Sequence, residues 1–149
     1  MKNKYFNNIT GKAIILLFIV VGFFSCDKNQ SKIPLVVVDI WIDLTDPLYY
    51  DLQQVGNYAY ITGGVNGIIV YRSSVDEFSA YERTCPHDPE CGKVFMDEKS
   101  LLTAVDTICC GSEFLLMVDG AVFSGPSKYP LKKYYCEYGV NSQILHIKN

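Results

Sequence analysis

The sequence is poor in histidine, in cations and in helical pattern. His87 and His146 are the only histidines in 149 residues. With so few imidazoles, neighbouring positions supply no Ser-His-Asp arrangement and no His/Glu metal motif, and no glycine-rich phosphate loop is present. No two cysteines have the two-residue spacing of a zinc knuckle or a dithiol redox motif. No catalytic residue is therefore assigned, and an enzyme is not the expectation. Lys and Arg number 13 against 16 Asp and Glu, a net charge of −3. Nucleic-acid binding needs clustered cations facing phosphates, so it is disfavoured. No stretch of helical period reaches ordinary helix length, and no internal repeat or low-complexity tract occurs.

Charge is also missing from one particular run. Ala13 to Phe24 is apolar throughout, after a start carrying Lys2, Lys4 and Lys12. Phe23-Phe24-Ser25-Cys26 closes the run with a small residue before a cysteine. A basic start, an apolar middle and a small-residue exit make a secretory leader. The run falls short of the roughly 20 residues that span a bilayer comfortably. Cys26 in that place resembles the lipobox of bacterial lipoproteins, in which the cysteine is lipidated and becomes the mature N-terminus. The expectation is a leader at 1–25, a polar tether at 26–33 after lipidated Cys26, and one β domain at 34–149. The protein would then sit in the bacterial cell envelope, periplasmic or surface-exposed, held to the membrane by lipid and not embedded in it. Removing the leader leaves 124 residues with 10 basic and 16 acidic side chains, a net charge of −6. That length suits a single hydrophobic core.

From Leu35 onward the chain reads as all-β. Val36, Val38, Ile40 and Ile42 alternate with Val37, Asp39, Trp41 and Asp43, the period of a strand with one face buried. Asp46-Pro47 interrupts, and Tyr49 to Leu52 suits a short helical turn. Apolar β-formers at 58–62 and 67–71 flank a Gly63-Gly64-Val65-Asn66-Gly67 turn, whose glycines supply positive φ. Strands are expected at 78–83 and 101–105, each leading into a cysteine-bearing loop. A hairpin through Asp119-Gly120 joins 114–117 to 121–123, and strands at 131–138 and 144–147 finish the domain. His146 alternates to an exposed position. Cys136 reads as a small buried hydrophobe. Tyr49-Tyr50 and Tyr134-Tyr135 are the places where an exposed aromatic face would suggest binding.

The two loops carry the chemistry. The first reads Thr84-Cys85-Pro86-His87. The second reads Cys109-Cys110-Gly111-Ser112 and is followed by Ser124-Gly125-Pro126 and Pro130-Leu131. That order resembles the Rieske iron–sulfur domain, an antiparallel β sandwich or barrel with two ligand loops at one end. Gly67-Ile68-Ile69-Val70-Tyr71-Arg72 and Cys109-Cys110-Gly111-Ser112 carry a closer likeness to small Bacteroidetes lipoproteins that keep the fold with incomplete ligands. A Rieske site takes Cys-x-His from one loop and Cys-x-x-His from the other. Cys85 and His87 fit the first pair. Thr107 stands where the second cysteine is expected, and Cys110 where the second histidine is expected. A hydroxyl is a poor donor to a sulfide cluster. Asp106 is adjacent but faces away from Thr107 if the segment stays extended.

What the resemblance implies is a fold without its usual [2Fe–2S] cluster. The alternative is an electron-transfer centre of unusual ligation on Cys85, His87 and Cys110. A zinc site on Cys85, His87 and Cys110 with Cys91 or Cys109 is a further option. Five cysteines remain beyond Cys26, and oxidising compartments favour pairing. Some family members tie the two loops with a disulfide at the positions of Cys91 and Cys109, and Cys85 with Cys110 is the second pairing. A redox role for the adjacent Cys109-Cys110 pair ranks last, because vicinal disulfides are strained. The expected role is binding or structural, with an envelope protein as possible partner.

Overall fold

The computed structural model describes residues 33–149. The leader, the lipidation position Cys26 and the tether up to residue 32 lie outside the described residues. The all-β expectation holds: two antiparallel sheets carry the chain.

The larger sheet is built from β1 (Asp39–Asp43), β2 (Tyr58–Ile61), β3 (Ile68–Arg72), β4 (Phe78–Glu82), β9 (Lys133–Gly139) and β10 (Ile144–Lys148), in the order β1-β10-β9-β4-β3-β2. β1 and β10 show the alternation of strands with one wet face. Ile42, Leu145 and Ile147 are buried, while Asp39, Trp41 and Asp43 are exposed. Val36 is exposed, so the inward period begins at Val38. Between β1 and β2, Asp46 caps a 3₁₀ segment at Pro47–Gln53 by accepting from the Leu48 N–H at 2.9 Å. Proline suits the first helical position because its missing N–H would have no partner there.

The smaller sheet takes β5 (Phe95–Asp97), β6 (Ser100–Val105), β7 (Glu113–Leu115) and β8 (Ala121–Ser124), in chain order. β7 and β8 do pair, but not through a two-residue turn. A 3₁₀ turn at Leu116–Val118 intervenes, and Asp119 adopts a left-handed φ of 51°.

β3 and β4 explain how one chain of this length supports two apolar clusters. Their side chains are buried on both faces. Ile68, Val70, Phe78 and Ala80 join Ile42, Leu52, Leu145 and Ile147 on one side. Ile69, Tyr71 and Tyr81 join Val94, Met96, Ala104, Phe114 and Leu116 on the other. β3 accordingly reads as a continuous apolar run rather than as alternation, while β4 also buries Ser79 and Glu82. Each large side chain so buried contributes about 1.5–3 kcal/mol of transfer free energy.

The second cluster also contains Cys85. The chain leaves β4 at Glu82 and returns to β5 at Phe95, and Thr84 pairs with Lys93 across the base of that excursion. The other excursion runs from Val105 at the end of β6 to Glu113 at the start of β7. The two cysteine-bearing loops are thus held side by side.

Candidate functional site

The first loop is fixed by backbone bonds. The Cys85 N–H donates to the Gly92 carbonyl at 3.0 Å, and the Gly92 N–H to the Asp88 carbonyl at 2.7 Å. The second loop is a closed turn built on Asp106. Its carboxylate Oδ1 accepts from the Ile108 N–H at 3.1 Å and the Cys109 N–H at 3.0 Å. Its backbone carbonyl accepts from Gly111 at 2.9 Å, and Gly111 carries the left-handed φ of 67° that ends such a turn. Aspartate favours this geometry because its short side chain bonds its own backbone two or three residues on.

Cys91 and Cys109 join the loops as a disulfide, with an S–S distance of 1.93 Å. Cys85 and Cys110 lie beneath as thiols, their sulfurs 3.5 Å apart. That is a contact; a covalent S–S bond is about 2.05 Å. Cys110 also lies 3.2 Å from Asp106 Oδ2 and 3.1 Å from Ser112 Oγ. Ser112 is buried, and its Oγ accepts from the Ser127 N–H at 3.0 Å. The Ser124-Gly125-Pro126 segment therefore packs on the site through Ser112. A side chain at Gly125 would meet the Ser112 Cα at 2.6 Å. Gly92 closes the other flank, where a Cβ would sit 2.4 Å from the Cys85 Cβ and 2.5 Å from Asp106 Oδ2.

The second loop corrects one sequence expectation. Asp106 is fully buried among the thiols, and Thr107 is exposed. The strand ends at Val105, so the in-and-out parity that placed Asp106 on the far face stops one residue too early for it. Thr107 instead lines a surface groove with Phe95, Val105, Ile108 and Glu113. His87 is also exposed and stands outside the donor group of Cys85, Asp106 and Cys110. His146 is on β10, half-buried, with its ring 3.8 Å from that of Trp41 and its Nε2 2.6 Å from Asp39 Oδ1. It is less exposed than alternation alone suggests, because Trp41 covers it.

A Rieske-type cluster needs two thiolates on one iron and two imidazoles on the other. The donor cluster holds two thiols and a carboxylate, with no imidazole among them. These donors do not fit that cluster. The zinc set that includes Cys91 or Cys109 does not fit either, because both sulfurs are bonded to each other.

Electrostatics follow from the packing. Burial pushes the Cys85 thiol up to about 12, and its hydrogen bonds to Asp106 and Cys110 add to the rise. Burial alone would raise Asp106. The Cys109 N–H, the two thiols and the Ile108 N–H outweigh it, and the net shift is below the ordinary 3.8. Burial likewise pushes Cys136 up to about 11, on β9 beside the first core cluster.

Beneath the first loop lies a polar feature that the sequence reading did not identify. Glu82 is fully buried at the end of β4. Its carboxylate accepts from the Val65 N–H at 2.7 Å, the Asn66 N–H at 3.0 Å and the Thr84 N–H at 3.0 Å. The hydroxyls of Thr84 and Tyr134 add bonds of 2.8 Å each. Burial would raise its pKa, but these donors carry it below 4.5. The only signal in sequence was Gly64 in the 63–67 turn. That residue has φ +61°, and a Cβ on it would strike Glu82 Oε2 at 2.1 Å.

No family model matches the chain, and no curated protein matches it.

Proposed function

We propose that this chain is a lipid-anchored protein of the bacterial cell envelope whose Rieske-like β domain carries no iron–sulfur cluster. A disulfide takes the cluster's place as the tie between the two loops, and the domain serves a binding or structural role. One observation supports the reading above the rest: the sulfurs of Cys91 and Cys109 lie at bonding distance, while His87 and Thr107 face solvent. A clamp of this kind restricts the unfolded chain and holds two loops in register without any metal. The anchor rests on the Phe24-Ser25-Cys26 exit from an apolar run.

The experiment purifies the full chain from membranes under anaerobic conditions. It measures iron, acid-labile sulfide and the visible spectrum, and maps unreduced peptides by mass. The expected result is a Cys91–Cys109 cross-linked peptide with no stoichiometric iron or sulfide. Two irons and two sulfides per chain, with Cys91 and Cys109 as free thiols, would restore the electron-transfer alternative. The anchor is tested separately: Cys26→Ser is expected to move the protein out of the membrane fraction, and unchanged membrane association would reject the anchor.

A further inference from the structure

We propose that Cys85, Asp106 and Cys110 form a mononuclear site for a zinc-class divalent cation. The inference rests on the Cys91–Cys109 clamp, which leaves these two cysteines as thiols. Three observations carry it.

The first is geometry. The two sulfurs lie 3.5 Å apart, Cys110 Sγ lies 3.2 Å from Asp106 Oδ2, and the three donor atoms all fall within 4.8 Å of one another. Around a tetrahedral zinc with Zn–S of about 2.3 Å, two thiolates stand about 3.8 Å apart, and a thiolate and a carboxylate oxygen about 3.6 Å. The donors already approximate one face of that tetrahedron.

The second is the carboxylate's unequal provision. Asp106 Oδ1 receives two backbone N–H donors, whereas the carboxylate's remaining donors are the Cys110 thiol on Oδ2 and the Cys85 thiol, both weak donors. Buried Glu82, by contrast, receives five N–H and O–H donors. None of the ion pairs among the described residues involves Asp106. A buried anion aimed at two sulfurs, without a cation, is the arrangement a metal ion completes.

The third is enclosure. Gly92 packs against the donor cluster on the Cys85 side, and buried Ser112 supports Cys110 on the other. Cys110 is the partly exposed member, so entry is past it, and a water completes the fourth position there. Thiolate donors select zinc-class ions over magnesium or calcium. Binding deprotonates both thiols and releases two protons, so one divalent ion with two thiolates and one carboxylate leaves a site charge of −1.

The test uses the full chain in detergent, with the Cys91–Cys109 cross-link verified by mapping, and Co²⁺ as the probe. One equivalent is expected to bind with near-ultraviolet thiolate-to-cobalt absorption, and Zn²⁺ is expected to displace it. Cys110→Ser and Asp106→Asn should each weaken binding by at least about 10-fold, the least that loss of a metal-site partner costs. Cys136→Ser should leave binding unchanged. Near-ultraviolet circular dichroism checks that each variant is folded. Should one not fold, cadmium-113 resonance of the unmodified chain supplies the donor count directly, with a two-sulfur shift expected. A clamped protein that gives no thiolate–cobalt absorption would overturn this inference alone. So would a Cys85–Cys110 cross-link in the native sample, or full affinity in folded Cys110→Ser. Free Cys91 and Cys109 thiols would instead overturn the clamp.

Discussion

Glu82 shows how much one side chain can organise. It is a buried anion whose partners are all neutral donors, drawn from the 63–67 turn, from Thr84 and from Tyr134 on β9. Each donor would be stranded if the acceptor were lost, and a buried unsatisfied polar group costs about 1–3 kcal/mol. Glu82→Gln keeps the shape but turns an amide N–H₂ toward groups that also donate. We expect a loss of about 3 kcal/mol, read by urea unfolding with an unchanged slope. A loss below about 0.5 kcal/mol, the range of an ordinary surface substitution, would mean that the turn rearranges freely around the amide. Glu82 was not legible in the sequence as anything but a strand-end acid. Its burial depends on strands distant in the chain, and no local pattern reports that. Asp106 was misread for the opposite reason. Parity puts Asp106 on the far face only while the segment stays extended, and the strand ends at Val105, one residue short of it.

At the level of elements, the strands that alternate were readable, and so were the short β7 and β8 through the Asp119-Gly120 turn signal, whereas β5 was not. β1 and β10 have one wet face, so hydrophobic alternation marks them. β3 was readable as an apolar and aromatic run because both its faces are buried, whereas β4 is buried on both faces with Ser79 and Glu82 interrupting the run. β5 was not foreseen. It has three residues and a register shift against β6, and its place is set by distant groups. The Met96 N–H donates to the Tyr60 hydroxyl at 2.9 Å, and the Arg83 guanidinium stacks 4.8 Å from the Phe95 ring. Both cysteine loops hang from such short strands, β5 and β7, which is where a covalent tie has most to hold. The Cys91–Cys109 bridge spans 18 positions. Replacing both cysteines by serine is expected to cost about 3 kcal/mol, because the closed loop no longer restricts the unfolded chain. Hydrogen exchange should rise first in residues 84–93 and 106–112, ahead of β9 and β10. Uniform loss of protection across both sheets would show that the bridge is not a local clamp.

Across the whole molecule, acid stability draws these features together. Glu82 and Asp106 both have pKa values below their ordinary 4.5 and 3.8, because hydrogen bonds to the carboxylates outweigh the effect of burial. Lowered values mean that the unfolded chain binds protons before the folded one does. Their stabilisation is therefore complete above the unfolded values and drains away as pH falls through the folded ones. The two groups sit at different joints. Glu82 ties the 63–67 turn to β4 and β9, and Asp106 shapes the second loop against the first. The melting temperature should accordingly be flat from neutral pH to about 5 and fall steeply below about pH 4, the region of ordinary carboxylate values. Glu82→Gln should lower the plateau and flatten the acid limb, since that position no longer takes up a proton on unfolding. Asp106→Asn should likewise lower the plateau and flatten the limb, with the change of slope confined to the region below the ordinary aspartate value. An acid limb of unchanged steepness in both variants would place the acid sensitivity in other carboxylates and contradict the assignment of these two as its source.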